Sequence, residues 1–276
     1  ITHVIRGDDH INNTPRQILM YEALGYALPR FAHLPMIIDE NRKRLSKRHG
    51  AANVLGYKEE GVLPEALINY LAKLGWGYGD EEFFTVQDLV DKFSLDRVKR
   101  SACAIDPDKL NWLCGKHMEA ASNERLGRLW LESAVQAGTI DQQKAELLAG
   151  SEWLNKAVET LKPRSKTIKE LETGGRFYFN APAVYDEKGA RKFLKPAVLP
   201  ALEELRDGIA AMEGQIPEDQ LEQLFKQLLE KHEVKMVKLA QPVRIFLTGG
   251  TISPGIFDVI TLLGKEEVLR RFDAGL

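Results

Sequence analysis

From about residue 120 to its end the chain is one amphipathic segment after another: NERLGRLWLESAVQAG, QQKAELLAGSEWLNKAVETL, TIKELETGGRFYF, ARKFLKPAVLPALEELRDGIAAM and PEDQLEQLFKQLLEKH. Apolar residues recur at three- and four-residue intervals, the period of a helix that buries one face. None of these segments alternates apolar and polar residues as a half-buried strand does. More than half of the 276 residues are therefore committed to helices packed on helices, and a helical bundle is expected over 121–276. Its closing pieces, QPVRIFLTGGTISPGIFDVITLLG and KEEVLRRF, carry the sharpest start and stop signals. Ser253 reads as an N-cap with Pro254 at the first helical position, Ile256, Phe257, Ile260 and Leu263 as an apolar stripe, and Gly264 as the stop.

The first fifty residues follow another pattern. THVIRGDDH reads as a short strand that delivers Arg6, Asp8, Asp9 and His10 to its C-terminal edge, where open α/β sheets bind ligands. Thr14 and Pro15 read as cap and first residue of a helix that carries Ile18, Leu19, Tyr21, Glu22 and Leu24 and stops at Gly25; FAHLPMIID then reads as one further strand. Strand, helix, strand and charged loop make part of a parallel α/β domain. After Gly50 helices return. LPEALINYLAKLGWG places Leu63, Leu67, Tyr70, Leu71 and Leu74 on one face, Thr85 caps TVQDLVDKF, and Asp106 and Pro107 open DPDKLNWLCGKHM. The expected fold is mainly α with a small α/β part, in three domains: 1–52, 53–120 and 121–276. Trp76, Trp112, Trp130 and Trp153 fall on apolar faces of these helices or at their ends and are expected in the core.

Composition narrows the function. Apolar residues at 44% and charged residues at 28% describe a globular chain, and no window reaches the ~18 to 20 uninterrupted apolar residues of a membrane span, which points to a cytoplasmic protein without a membrane partner. Cys103 and Cys114 are too few and wrongly spaced for a zinc site or a disulfide framework, so buried thiols and no metal site are expected. With 38 basic against 40 acidic side chains, a polyanion must be held by local patches. The densest is NRKRLSKRHG, which sets Arg42, Lys43, Arg44, Lys47 and Arg48 in ten residues without an acid. A mobile Lys charge, rigid Arg forks and the Ser46 hydroxyl suit a polyphosphate, although a bare run of this kind is more simply a solvated turn.

RLSKR, Arg44 to Arg48, resembles the mobile-loop signature of class I aminoacyl-tRNA synthetases, written Lys-Met-Ser-Lys-Ser and commonly Lys-Leu-Ser-Lys-Arg in the glutamate branch. THVIRGDDHINNTPRQILMYEALGY, RFAHLPMIIDENRKRLSKRHGA, LPEALINYLAKLGW, DPDKLNWL and AQPVRIFLTGGTISPGIFDVITLLGKEEVLRRF resemble, in order, segments of the bacterial glutamyl-tRNA synthetases. The resemblance covers essentially the whole chain. It implies a Rossmann-like catalytic part over 1–52, a small α-rich stem-contact domain over 53–120 and an anticodon-binding bundle over 121–276. It further implies that Lys47 binds ATP phosphates and stabilises the adenylation transition state, with Ser46 and Arg48 shaping the loop. Arg44 departs from the pattern by replacing its first Lys while keeping the charge. Arg6 matches a position that contacts substrate glutamate; Asp9, where the family often has Glu, and His10 match positions beside the ATP. Ser253 and Pro254 match a helix start that touches the anticodon, with Arg244 and Arg164 as further contacts.

The family's reaction joins glutamate to tRNA(Glu) through an adenylate made from ATP, with Mg²⁺ on its phosphates, in an enzyme expected to be a monomer. The second class I signature, His-x-Gly-His, occurs nowhere in this sequence. The chain is thus expected to be the C-terminal portion of such a synthetase, to bind tRNA and to be inactive alone. A non-enzymatic tRNA- or partner-binding module is the alternative, for which Lys47 and Arg6 are unneeded. Two relatives fit less well: a paralogue that glutamylates a modified tRNA base lacks the helical tail, and glutaminyl-tRNA synthetase has a β-barrel in its place.

Overall fold

The computed structural model describes residues 1–38 and 53–275. NRKRLSKRHG lies outside them, and with it the sequence-derived roles of Arg44, Ser46, Lys47 and Arg48. The chain divides into two compact units, Ile1–Ala120 and Ala121–Leu276. The fold is mainly helical, and its two small parallel sheets both belong to the first unit.

The first unit opens with strand β1 (His3–Gly7), a 3₁₀ turn (Asp8–Asn13), helix α1 (Thr14–Ala23) and strand β2 (Arg30–Leu34). β1 and β2 are parallel, with Arg6 opposite His33. Two of the expected boundaries shift. The chain is already helical at Asn13, so Thr14 is not a cap; its hydroxyl turns back to the carbonyl of His10 (3.2 Å). FAHLPMIID is two strands, because Pro35 brings no N–H to a ladder. Beyond it β3 (Ile37–Ile38) joins a separate parallel pair with β4 (Cys103–Ala104).

The rest of this unit is helical: α2 (Val54–Glu59), α3 (Pro64–Lys73), α4 (Val86–Lys92) and α5 (Pro107–Ala120). α4 begins with a complete capping box, in which Thr85 Oγ1 accepts from the Asp88 amide (3.1 Å) and the Asp88 carboxylate accepts from the Thr85 amide (2.9 Å). α3 and α5 pack through Tyr70, Leu74 and Leu113, while Trp76, Phe84 and Leu89 form a second core. Asn69 ties both together, because its buried amide oxygen accepts from the Phe84 amide (2.9 Å) and from His117 Nε2 (3.1 Å). Leu71 does not share the buried face of α3 and is exposed, since the stripe runs through positions 63, 66, 67, 70 and 74. Trp112 is also exposed, at 44%, because Leu113 and Cys114 supply the buried face of α5. Cys103 is only half-buried, at the short β3–β4 pair, whereas Cys114 is in the core.

The second unit contains ten helices among its described residues: α6 (Asn123–Gln136), α7 (Gln142–Leu148), α8 (Glu152–Leu161), α9 (Ile168–Phe179), α10 (Glu187–Phe193), α11 (Leu199–Ala211), α12 (Glu218–Lys231), α13 (Met236–Thr248), α14 (Ile256–Leu263) and α15 (Lys265–Gly275). Side-chain caps mark their starts: Ser122, Asp141, Ser151, Thr167 and Asp186 each accept from a backbone amide of the helix that follows. α6, α8 and α9 close on Trp130, Leu126, Leu154, Leu161 and Leu171. Gly175 lets α9 approach, since a methyl there would run into the Trp130 ring and Leu161. Trp153 is half-buried rather than in the core and donates its indole N–H to Leu262 O (2.8 Å). α11 to α15 form the second group. Its buried Arg271 donates to Leu247 O and Phe177 O (2.8 Å), in the last turns of α13 and α9, and pairs with Glu267 (2.7 Å). One cation thereby meets the negative ends of two helices.

Candidate functional site

Two places gather the residues singled out in the sequence, one in each unit. In the first unit Arg6 stands at the C-terminal edge of β1, where the parallel ladder sets it beside His33. Its Nη2 donates to Thr14 Oγ1 (2.7 Å) and its Nε to His33 Nε2 (3.5 Å), and Thr14 Oγ1 and His33 Nε2 are 3.0 Å apart. The guanidinium lies over the Phe31 ring, 5.4 Å from its centroid. No carboxylate pairs with it among the described residues. It borders a cavity of about 420 Å³ lined by Val4, Gln17, Met20, Tyr21, Leu24, Tyr26 and Phe31. One oriented cation in a mainly apolar recess suits a small molecule with a carboxylate. Asp9 and His10 are exposed on the turn that follows β1, and His10 Nδ1 is 3.2 Å from Asn13 Nδ2.

In the second unit the loop between α13 and α14 is built around Arg244. Its Nε donates to Ser253 Oγ (2.7 Å), its Nη2 reaches Pro254 O (3.4 Å), and its Nη1 donates to the side-chain oxygen of Gln241 (3.1 Å). The Gln241 amide in turn donates to Thr251 O (3.3 Å). Ser253 is consequently no helix cap: its hydroxyl is spent on Arg244 and on Pro254 O (2.9 Å), and α14 takes Gly255 as its N-cap. Ser253 and Pro254 are both buried, while Ile252 at the tip is 84% exposed.

The loop is pinned from outside as well. The Asp186 amide donates to Gly249 O (2.7 Å), and Thr251 Oγ1 donates to Asp186 Oδ2 (3.3 Å). Gly249 has φ of 80°, and a Cβ there would lie 2.7 Å from Val184 O, so position 249 needs glycine twice over.

Burial pulls the proton affinity of Arg244 down, and the nearby charge of Arg164 adds to that effect. Arg164, exposed on the 3₁₀ turn Lys162–Arg164, and Arg244 thus belong to one positive region. Neither has a carboxylate partner among the described residues, and each hydrogen bond of Arg244 ends on a neutral oxygen. Such a pair attracts phosphate or the acceptor edge of a base. The structure therefore sets Arg244 against Ser253 and Pro254, nine and ten residues on, and brings Arg164 from a distant part of the chain near enough to act on its charge.

Sequence reasoning does not reach His33, Gln241 or Asp186, and takes Thr14 only as a helix cap. Gln241 carried a readable signal, three residues before Arg244 on the same face of a helix. His33 carried none, because its meeting with Arg6 depends on strand register. Among the described residues no group of three or more His, Cys, Asp or Glu side chains could hold a metal ion, and no helix is long and apolar enough to cross a membrane.

Comparison with known proteins agrees with this division. Residues 132–276 match the family model described as an anticodon binding domain, and residues 1–112 match that of the catalytic domain of class I tRNA synthetases for E and Q. Glutamate–tRNA ligases of Geotalea uraniireducens (strain Rf4) and Syntrophobacter fumaroxidans are each 47% identical over 276 residues, which is 100% of this chain and 57% of theirs. A crystal structure of a glutamate tRNA ligase from Elizabethkingia meningosepticum, in complex with its amino acid, superposes with a TM-score of 0.84 at 28% identity, covering 100% of this chain and 57% of that one. Glutamate-tRNA synthetase from Elizabethkingia anophelis gives 0.80, also at 28% identity, over 100% of this chain and 56% of its own. The chain belongs to the glutamate–tRNA ligase family of class I aminoacyl-tRNA synthetases. It spans 57% of the length of these curated relatives.

Proposed function

We propose that this chain supplies the tRNA-reading part and a portion of the catalytic part of a glutamate–tRNA ligase. The reaction is ATP + L-glutamate + tRNA(Glu) to glutamyl-tRNA(Glu) + AMP + diphosphate. The observation that carries this reading is the Arg244 loop, a half-buried guanidinium held by neutral oxygens beside Arg164, in the region that matches the anticodon-binding family.

In this reading residues 121–276 bind the anticodon arm, 53–120 contact the stem, and 1–52 form part of the nucleotide-binding domain. Arg244 and Arg164 meet anticodon bases or phosphates, with Ser253 and Pro254 fixing the direction of Arg244. Arg6 holds a carboxylate of glutamate, and Thr14 and His33 orient it for that contact. Asp9 and His10 border ATP, which brings Mg²⁺ with it as part of the substrate complex. Lys47, with Ser46, Arg44 and Arg48, handles the phosphates. The protein works as a monomer in the cytoplasm. By itself the 276-residue chain binds tRNA without forming glutamyl adenylate, since it holds no His-x-Gly-His pair of imidazoles for the nucleotide.

Two assays on this chain test the reading. Filter binding should show tighter retention of tRNA(Glu) than of an unrelated tRNA of equal length, and equal retention would refute anticodon reading. Glutamate-dependent exchange of pyrophosphate into ATP should stay at background; clear exchange would refute the inactivity of the isolated chain.

A further inference from the structure

We infer that helix α10 is an RNA-backbone contact surface that extends the Arg244 loop, with Lys188, Lys192 and Lys195 as its phosphate ligands. The inference rests on the tRNA-binding reading above and adds a surface that the anticodon residues do not include.

α10 is amphipathic in charge. Lys188, Arg191 and Lys192 stand at i, i+3 and i+4 on one face, and Lys195 follows two residues past the helix end. Across these eight positions, 188 to 195, there is no acid. A flanking face is turned inward: Gly189 is buried, and a methyl there would meet Thr251 Cγ2 at 2.5 Å. All four cations are exposed. Arg191 pairs with Glu187 at 3.3 Å, but both side chains are more than 80% exposed, so that pair is weak. Lys188, Lys192 and Lys195 form no ion pair among the described residues. The Lys192 ammonium lies 5.0 Å from the centroid of the Phe193 ring, which leaves its charge unneutralised.

The placement of this stripe argues for RNA. Asp186, the N-cap of α10, is hydrogen-bonded to Gly249 and Thr251 of the Arg244 loop, and α10 packs on α13, which carries Arg244. The helix is thus fixed to the Arg244 loop itself, and its exposed lysines are carried on the same packed element. Lysine heads are hydrated point charges on flexible stems, suited to phosphates whose exact position varies and unsuited to reading bases. The surface therefore adds affinity and register rather than sequence preference.

The test compares wild-type chain, the triple variant Lys188→Ala/Lys192→Ala/Lys195→Ala and Arg244→Ala by fluorescence anisotropy. Each protein is titrated with tRNA(Glu) and with the same tRNA carrying a foreign anticodon, over a salt series. Because the three side chains are exposed, unchanged thermal unfolding of the triple variant is the folding control. The inference predicts that the triple variant loses on the order of tenfold affinity at 0.1 M salt for both RNAs alike, and that its plot of log K against log salt flattens by about 2, near 0.7 per phosphate contact. Restored affinity in the triple Lys→Arg variant would add support. A triple variant with wild-type affinity and slope would overturn the inference if Arg244→Ala still abolishes the preference for the native anticodon. It would equally be overturned if the triple variant lost binding to anionic lipid vesicles while keeping that to tRNA. If no protein prefers the native anticodon, the underlying reading fails and takes this inference with it.

Discussion

The β1–α1–β2 segment and the α6–α8–α9 group are both patterned for burial, yet they are held together in different ways. In the first, no residue of β1, α1 or β2 is fully buried, and Leu19 and Met20 of α1, with Leu24 at its C-cap, are more than 60% exposed. Its order comes from the parallel ladder and from the Arg6–Thr14–His33 contacts. In the second, Trp130, Leu126, Leu154 and Leu171 are at most 1% exposed, and helices approach closely enough to require Gly175. The same contrast separates the two candidate sites. Arg6 is aligned by side chains at an edge, so changing it should cost ligand binding and little stability. Arg244 and its loop are wedged into a packed bundle, so changes around it should cost both.

The largest expected effect lies in the packed unit. Arg271→Ala strands the buried Leu247 O and Phe177 O, leaves Glu267 with Arg270 alone, and should destabilise the second unit by about 3–5 kcal/mol, read as a lower urea midpoint. A loss below about 1 kcal/mol would mean that packing alone holds α9, α13 and α15 together. Next comes Gly249→Ala, which combines a positive φ with a clash against Val184 O. About 1–3 kcal/mol is expected, and the variant should also weaken tRNA binding because the loop holding Ser253 shifts.

The third effect belongs to the helical part of the first unit. Burial lowers the pKa of His117 from the ordinary 6.5, with Glu65 opposing in part. The unfolded chain then takes up a proton that the buried ring refuses, so stability present above pH 6.5 is lost as the pH falls from 6.5 toward the folded value. Denaturation at pH 7.5 and 5.5 should show this loss in the wild type and a smaller one in His117→Gln; equal losses would remove His117 as the cause. The smallest effect sharpens the contrast from the other side. Arg6→Ala should cost about 1 kcal/mol or less, because its bonds are only part-buried. A loss as large as that of Arg271→Ala would erase the distinction between the two regions.

Much of this fold is legible in the sequence because local rules and tertiary packing agree. The Thr85 capping box, the Pro64 and Pro107 helix starts and the helical bundle follow from cap chemistry and the helical period. Misreadings arise where a distant residue competes for a local signal. Ser253 has the sequence of a cap, but Arg244, nine positions earlier, takes its hydroxyl. Thr14 precedes a proline in the same way, yet a 3₁₀ turn has already begun and Arg6 donates to its oxygen. Leu71 and Trp112 are apolar residues just off the buried stripe, a difference of one position that a face-counting argument does not resolve.

The sites divide similarly. Arg6 and Arg244 are visible as charges at the ends of apolar segments. His33, which meets Arg6, and Asp186, which pins the Arg244 loop through Thr251, come from strand register and from a contact spanning 65 residues, neither of which is written locally.

In the proposed function the Arg244 loop reads the anticodon. The direct measurement is the affinity of this chain for two transcripts of tRNA(Glu) that differ only in the anticodon, with and without Arg244→Ala. The account predicts tighter binding of the native transcript by the wild-type chain, and near-equal affinities for both transcripts once Arg244 is removed. Equal binding of the two transcripts by the wild type, or a preference that survives Arg244→Ala unchanged, would contradict it.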